Sequence, residues 1–314
     1  MKSLLYRDST NDSTRVVVTI GNFDGMHLGH RRIFDELHKL AQEENAKPVL
    51  VSFYPHPKFF FAEAKGIVLG PEDGFLSSPR QKLARANEAG IERLVLLHFG
   101  QSLSELSPQE FFDQKIFSLG KVCGVVVGRD WCFGRNRAGT VETLCEFGIK
   151  HGFKVKVLQD QSIDGKRISS SLIRKAISAG DVKMAATYLG YNYSLSGHVK
   201  KGDQRGRLLG FPTMNLLFRN DLLPAYGVYK TSTIVRGQSL PSITNVGVRP
   251  TFAGSKLVVE THILEGFSGE NYGERVEVAF LERIRAEKKF ANIEELKAQI
   301  TNDIIASKQG RIGQ

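Results

Sequence analysis

Apolar and polar positions follow two different rhythms along the 314 residues. In the first half, short apolar runs alternate with stretches of helical period. Arg15 to Ile20 (RVVVTI), Val49 to Phe53, Leu94 to Leu97, Val122 to Val127 and Val155 to Leu158 read as buried strands. Between them, His30 to Leu40 sets Ile33, Leu37 and Leu40 on one helical face. A second helix opens at Ser78-Pro79 and ends near Gly90. A third opens on the Ser107-Pro108-Glu110 capping box and runs through Phe111, Phe112 and Ile116, and Thr140 to His151 is a fourth. Strand and helix repeated this way predict an α/β domain with a parallel sheet covered on both faces. Ser169 to Ala179 and Val182 to Leu189 read as two further short helices.

After Gly190 the period becomes two. Tyr193 to Val199, Gly227 to Val235, Ser242 to Val246, Leu257 to Leu264 and Arg275 to Leu281 alternate apolar and polar residues between turn formers, which predicts an antiparallel β-barrel. Asn292 to Ile305 closes the pattern as an amphipathic helix with Ile293, Leu296, Ile300 and Ile304 on one side. The expected division is a domain of residues 1–187 and one of residues 188–314.

Composition narrows the function classes. With 41% hydrophobic and 24% charged residues, the chain is ordinary globular protein. No apolar run approaches the roughly eighteen residues of a spanning helix, so no membrane partner is expected. Met1 to Thr10 lacks an apolar stretch long enough for a signal peptide. Three cysteines without metal-ligand spacing are expected as free thiols in the cytoplasm. The net charge of +10 favours anionic partners, either nucleic acid or phosphorylated small molecules. The basic residues are scattered, and no zinc, helix-turn-helix or aromatic RNA-binding signature accompanies them, so nucleic acid is the weaker reading. Self-association is left open.

The first chemical constellation is Gly21-Asn22-Phe23-Asp24-Gly25-Met26-His27-Leu28-Gly29-His30, where the first strand hands over to the first helix. Ligands of open parallel sheets bind beyond the carboxyl ends of the strands. Glycines admit a close backbone approach, and a helix start offers N–H groups to phosphate. His27 and His30 can donate hydrogen bonds to phosphate oxygens as charge builds there. A tight turn with two helix-capping histidines is the plainer alternative for either imidazole alone.

HxGH at this position resembles the nucleotidyltransferase superfamily, and GNFDGxHxGH resembles the adenylyltransferase module of the prokaryotic bifunctional riboflavin kinase/FAD synthetase family. Gly128-Arg129-Asp130-Trp131-Cys132-Phe133-Gly134, continuing through Arg137 and Gly139, is similar to that family's flavin loop. Arg167-Ile168-Ser169-Ser170-Ser171-Leu172-Ile173-Arg174 is similar to its RxSSTxIR segment. The chain departs by Trp131 for the usual Phe, Cys132 where Arg is common and Ser171 for Thr. The resemblance implies a Rossmann-like domain in which Gly21, Asn22, Phe23, Asp24, Gly25, His27, His30, Arg167, Ser169, Ser170, Ser171 and Arg174 bind ATP. It implies that Asp130, Trp131 and Phe133 hold the flavin, and that His27 and His30 are catalytic.

In the second half, Gly197-His198-Val199-Lys200-Lys201-Gly202 leads into Gly206-Arg207-Leu208-Leu209-Gly210-Phe211-Pro212-Thr213-Met214-Asn215. Thr213 and Asn215 lie two apart, so on a strand they share a face, and their oxygens suit a hard cation such as Mg²⁺. Glu260 is a carboxylate on an otherwise apolar strand; an outward solvated glutamate is the plain reading, a general base the functional one. This half resembles riboflavin kinase through GRxLGFPTxN, Pro224 to Tyr229, Thr244 to Phe252, the Val259-Glu260 strand and Tyr272-Gly273, with Asn271 where the family often has Leu. The resemblance implies Glu260 as general base, ATP held by Gly197, Lys200, Gly202, Gly206, Arg207, Gly210, Pro212, Thr213 and Asn215, and riboflavin held by Asn245, Gly247 and Arg249. Mg²⁺ would sit at Thr213 and Asn215. The implied activity is phosphorylation of riboflavin to FMN, then adenylylation of FMN to FAD, with ATP as co-substrate of both steps. An alternative keeps the kinase and leaves the first domain catalytically impaired.

Overall fold

The computed structural model describes residues 13–91, 93–201, 206, 209–218, 222–251, 254–266 and 271–308, without the side chains of 71, 249–251 and 254–256. They form two compact units, one within residues 13–69 and 77–170 and the other within residues 70–76 and 171–308.

The first unit is built on strands β1 (Arg15–Ile20), β2 (Lys47–Tyr54), β3 (Arg93–His98), β4 (Lys121–Gly128) and β5 (Lys154–Leu158). They form one parallel sheet in the order β3-β2-β1-β4-β5. The chain winds outward from β1 in both directions, so the switch point of the topology lies at the carboxyl end of the central strand. Helices α1 (Leu28–Glu43), α2 (Pro57–Ala64), α3 (Pro79–Glu88), α4 (Gln101–Ser104), α5 (Pro108–Phe111) and α6 (Val141–His151) connect or cover the strands. One apolar cluster joins Val16, Val18 and Val125 to Phe111, Phe112 and Leu144, and a second joins Val17, Leu50 and Val126 to Phe34, Leu37 and Leu40. β1 therefore buries side chains on both faces, which explains its unbroken valine run.

Both expected proline-opened helices form. Ser78 and Ser107 each accept from a backbone N–H three residues on, and Gln81 and Glu110 complete the reciprocal boxes. The helix after Ser107 is α-helical only to Phe111 and continues as a π-helical turn over Phe112–Ile116, which delivers Phe112 and Ile116 fully into the core. α2 has no counterpart in the periodicity. Its PKFFFA stretch lacks a polar face, and it starts instead on Pro57 with His56 accepting from Lys58 N–H.

A short hairpin, β6 (Ser162–Ile163) with β7 (Lys166–Arg167), precedes α7 (Ser170–Ser178) and α8 (Val182–Leu189). In the second unit, β8 (Ser194–Lys200), β9 (Met214–Leu217), β10 (Gly227–Val235), β11 (Gln238–Thr251), β12 (Gly254–Ile263) and β13 (Arg275–Ala286) close a barrel in the order β10-β11-β12-β9-β8-β13. β9 is too short to announce itself by alternation. Thr231, Thr233, Ser242, Thr244 and Thr261 are buried inside and satisfy one another through hydroxyl contacts of 2.8–2.9 Å. Strand alternation then turns Asn245 and Glu260 to the outer face.

α9 (Ile293–Lys308) ends the described chain. The expected apolar stripe is corrected here: Ile293 is 59% exposed, while the fully buried positions are Asp303 and Ser307. Leu296, Ile300 and Ile304 are half-buried. The buried face is rotated toward Asp303 because that carboxylate takes a two-pronged ion pair from Arg285, with N–O distances of 2.8–3.1 Å.

Candidate active sites

In the first unit, the segment after β1 is a strained turn held from several sides. Phe23 and Met26 have left-handed backbones (φ +43° and +38°), as does Gly25 (φ +79°), which alone of the three takes it without steric cost. Burial of the Phe23 and Met26 side chains beside Phe34 offsets part of that strain. Asp24, 2% exposed, accepts from Ser77 N–H at 3.2 Å, and Gly25 N–H donates to Ser77 Oγ at 3.1 Å. Ser170 Oγ donates to the Asp24 carbonyl at 2.9 Å, tying the start of α7 to the turn. The Asn22 carbonyl accepts from Lys82 Nζ at 2.6 Å and from Ser52 Oγ at 3.0 Å. Gly21 N–H donates to the Val51 carbonyl.

His27 caps α1, and its carbonyl accepts from His30 N–H at 2.8 Å. The two imidazoles stack with centroids 3.7 Å apart and planes 16° off parallel. A Cβ on Gly29 would lie 3.1 Å from His27 Nδ1, so the glycine makes room for the ring. His30 meets Phe23 edge-on, and its buried Nδ1 has no hydrogen-bond partner among the described residues. Burial first, then the positive charges of His27 and Lys82, hold its pKa well below the ordinary histidine value. At neutral pH it is an uncharged donor–acceptor.

Other residues expected at this site are distributed differently. Arg167 pairs with Asp130 at 2.7 Å and Asp160 at 3.0 Å, and Arg129 reaches the same Asp160. Trp131 stacks on Phe133 with centroids 4.5 Å apart. Phe133 is 6% exposed and packs on Phe111 and Phe112, so Trp131 is the ring of that loop that keeps accessible surface. Ser169 is half-buried. Ser171 is exposed on α7, and Arg174 donates to the Gly74 carbonyl; both belong to the second compact unit.

In the second unit, four expected residues form one cross-strand row: Lys200 of β8 opposite Asn215 of β9, then Glu260 of β12, then Asn245 of β11. Beside that row opens a cavity of about 350 Å³ lined by Gly206, Thr213, Asn215, Asn245 and Glu260, and closed by Phe290, Leu296 and Ile300. A Cβ on Gly206 would stand 3.1 Å from Thr213 Oγ1 and 2.4 Å from the Phe211 carbonyl, so glycine keeps the approach to that hydroxyl open. His262, two residues beyond Glu260, donates through Nδ1 to the Pro212 carbonyl at 2.7 Å and fixes the turn before Thr213. Gly197 sits against β9, where a Cβ would fall 2.2 Å from the Leu217 carbonyl, so its place is in strand packing. The backbone of Gly210 is left-handed, and Gly247 packs against the Glu287 carboxylate. Gly202 and Arg207 lie outside the described residues, as does the side chain of Arg249.

Periodicity did not single out Lys82, His262, Arg285 or Asp303, although the last three line the cavity. For Lys82 a signal existed: it stands four residues before Ala86, on the buried face of α3. Among the described residues, no group of three or more His, Cys, Asp or Glu could hold a metal ion, and no helix is long and apolar enough to cross a membrane.

Comparison with known proteins places the chain in a family context. Residues 9–172 match the family model of FAD synthetase, and residues 189–310 that of riboflavin kinase. The bifunctional riboflavin kinase/FMN adenylyltransferase of Pseudomonas fluorescens is 38% identical over 295 residues, covering 93% of this chain and 92% of the relative. The proteins of that description from Escherichia coli K12 and Bacillus subtilis are each 33% identical, with 93% of this chain covered and 92% and 91% of theirs. A crystal structure from Streptococcus pneumoniae, described as a macrolide-efflux protein, superposes with a TM-score of 0.86 at 29% identity, covering 98% of this chain and 99% of that one.

Proposed function

The chain belongs to the bifunctional riboflavin kinase/FMN adenylyltransferase family, and from that premise we propose which residues carry its two reactions. Riboflavin is phosphorylated by ATP to FMN, and FMN is adenylylated by a second ATP to FAD with release of pyrophosphate. We assign the first step to residues 188–314 and the second to residues 1–187.

The observation that carries the kinase assignment is the Lys200–Asn215–Glu260–Asn245 row beside its cavity. Glu260 takes the proton from the ribityl 5′-hydroxyl as that oxygen attacks the γ-phosphorus of ATP, and ADP leaves. Asn245 orients the flavin, with Gly247 and Arg249 beside it on β11. Lys200, Gly206, Gly210 and Pro212 shape the phosphate side. The Thr213 hydroxyl, just before β9, and the Asn215 amide oxygen are hard donors that line the same cavity, with Gly206 leaving the hydroxyl uncovered, and they fit Mg²⁺. Bound there, the ion would neutralise charge on the phosphate oxygens.

In the first unit, the FMN phosphate oxygen attacks the α-phosphorus of ATP; the new P–O bond forms as the bond to the β-phosphate oxygen breaks. His27 and His30 stabilise the charge passing to pyrophosphate through N–H donation. The turn from Gly21 to Gly25 holds the nucleotide, Ser169 and Ser170 hold phosphates, and Trp131 offers its face to the flavin. The three free thiols accord with a reducing cytoplasm.

Paired variants test the assignment. Glu260→Gln is expected to lower FMN formation by about 10²- to 10⁴-fold and leave adenylylation of supplied FMN intact. His27→Ala/His30→Ala is expected to do the reverse. Kinase turnover unchanged in Glu260→Gln would overturn the base assignment, and wild-type FAD formation in the histidine variant would overturn the cradle.

A further inference from the structure

We propose that Lys82 is a positioning residue for adenylyl transfer, a buried ammonium that fixes the Gly21–Gly25 turn from beneath and supplies fixed positive charge to the cradle above it. This rests on the assignment of adenylyl transfer to that turn.

Lysine on an α-helix ordinarily reaches for water, whereas Lys82 is 6% exposed. Its Nζ donates to the Asn22 carbonyl at 2.6 Å and to Ser52 Oγ at 2.9 Å, and Ser52 donates to that same carbonyl. The ammonium is thus joined to the one backbone oxygen that precedes the left-handed residues Phe23, Gly25 and Met26. A turn holding that strain keeps its shape only when its surroundings over-determine it. Ser77 and Ser170 restrain it at Asp24 and Gly25, and Lys82 restrains it at Asn22.

A neutral donor would have served for the hydrogen bond alone, since burying an ammonium costs far more than burying a hydroxyl. The charge has a use here. The groups facing it are the Asp24 carboxylate from the turn, the His30 imidazole from α1 and the neutral Ser52 hydroxyl from β2. His30 is kept neutral partly by Lys82, so at neutral pH the lysine supplies the charge and the histidine supplies a donor. A triphosphate arriving at the turn meets a pre-set positive potential with no further reorganisation. Burial lowers the ammonium pKa to about 8, with Asp24 opposing the shift. The charge is therefore present below that pH and lost above it.

The test supplies FMN and MgATP to wild type, Lys82→Met and Lys82→Arg, with active sites titrated by the pyrophosphate burst and riboflavin phosphorylation followed in the same samples. Lys82→Met is expected to lower kcat/KM for adenylylation by about 10²-fold per active site while kinase turnover holds. Lys82→Arg, whose charge persists at high pH, is expected to recover at least a tenth of wild-type activity and to move the alkaline limb of the pH profile upward from about pH 8. Full activity per site in Lys82→Met, or an alkaline limb in Lys82→Arg that coincides with wild type, overturns the proposal. If Lys82→Met does not fold, the Lys82→Arg profile alone decides. Failure of the wild type to make FAD would instead sink the underlying site assignment.

Discussion

The Arg285–Asp303 pair makes a quantitative claim about how the kinase cavity is closed. α9 docks with little apolar burial: Leu296, Ile300 and Ile304 are half-buried, while Ile293 and Ile305 stay 59% and 50% exposed. Its deepest side chain is Asp303, which takes three N–H···O contacts from Arg285 and a fourth from Gln299 at 2.9 Å. Asp303→Asn keeps the shape and removes the charge. Removing one partner of a fully buried pair costs about 3–5 kcal/mol. Arg285 keeps 20% of its side chain accessible, against 3% for Asp303, so water recovers part of that cost and about 2–3 kcal/mol remains. At 1.4 kcal/mol per tenfold, opening of the helix should become about 30- to 150-fold more frequent. Amide exchange of residues 296–307 measures it directly, and the riboflavin KM should rise with it because Leu296 and Ile300 leave the cavity wall. Arg285→Met/Asp303→Leu should regain most of the protection, since it leaves no buried charge unpaired. Exchange and KM unchanged in Asp303→Asn would refute the idea that the ion pair docks the helix.

Further outcomes follow from the same geometry. Gly197→Ala places a methyl 2.2 Å from the Leu217 carbonyl and should destabilise the barrel by about 1–3 kcal/mol, read as a lower inactivation temperature of the kinase with adenylylation spared. If Gly197 served only phosphate contact, the KM for ATP would rise with no thermal effect. His30 is held neutral when folded, so the unfolded chain binds more protons there as pH falls through about 6.5, and stability of the first unit should decline on that side. Denaturation of His30→Asn between pH 7 and 5 should show a shallower decline; an identical slope would contradict the burial argument. Thr213→Ala should raise the Mg²⁺ concentration needed for half-maximal riboflavin phosphorylation without changing that for adenylylation, and equal shifts in both would count against the cation assignment.

Much of this was legible in the chain, for identifiable physical reasons. RVVVTI coincides with β1 because a central parallel strand buries both faces. Ser78 and Ser107 marked helix starts because their capping chemistry is local. The HxGH turn was readable because its glycines and histidines are spaced by the requirements of the turn itself. What escaped was set by distant partners. Asp303 looks like a surface residue of an amphipathic helix, and Lys82 is marked only by its spacing to Ala86; the partners that hold them, Arg285 for one and Asn22 and Ser52 for the other, come from other elements. The four-residue β9 and the short, phenylalanine-rich PKFFFAEA helix carry too little periodicity to be read. Phe133, an aromatic in a flavin-type loop, proves to be a core ring whose burial depends on Phe111 and Phe112.

The central claim is that two separate sites on one chain act in succession, and complementation tests it most directly. Glu260→Gln and His27→Ala/His30→Ala, each given riboflavin and MgATP alone, should yield respectively almost no product and FMN without FAD. Mixed in one tube, they should form FAD at a rate that rises with the concentration of both, because FMN released by one protein feeds the other. A mixture that accumulates FMN and never forms FAD, while wild type converts riboflavin through to FAD, would contradict the account.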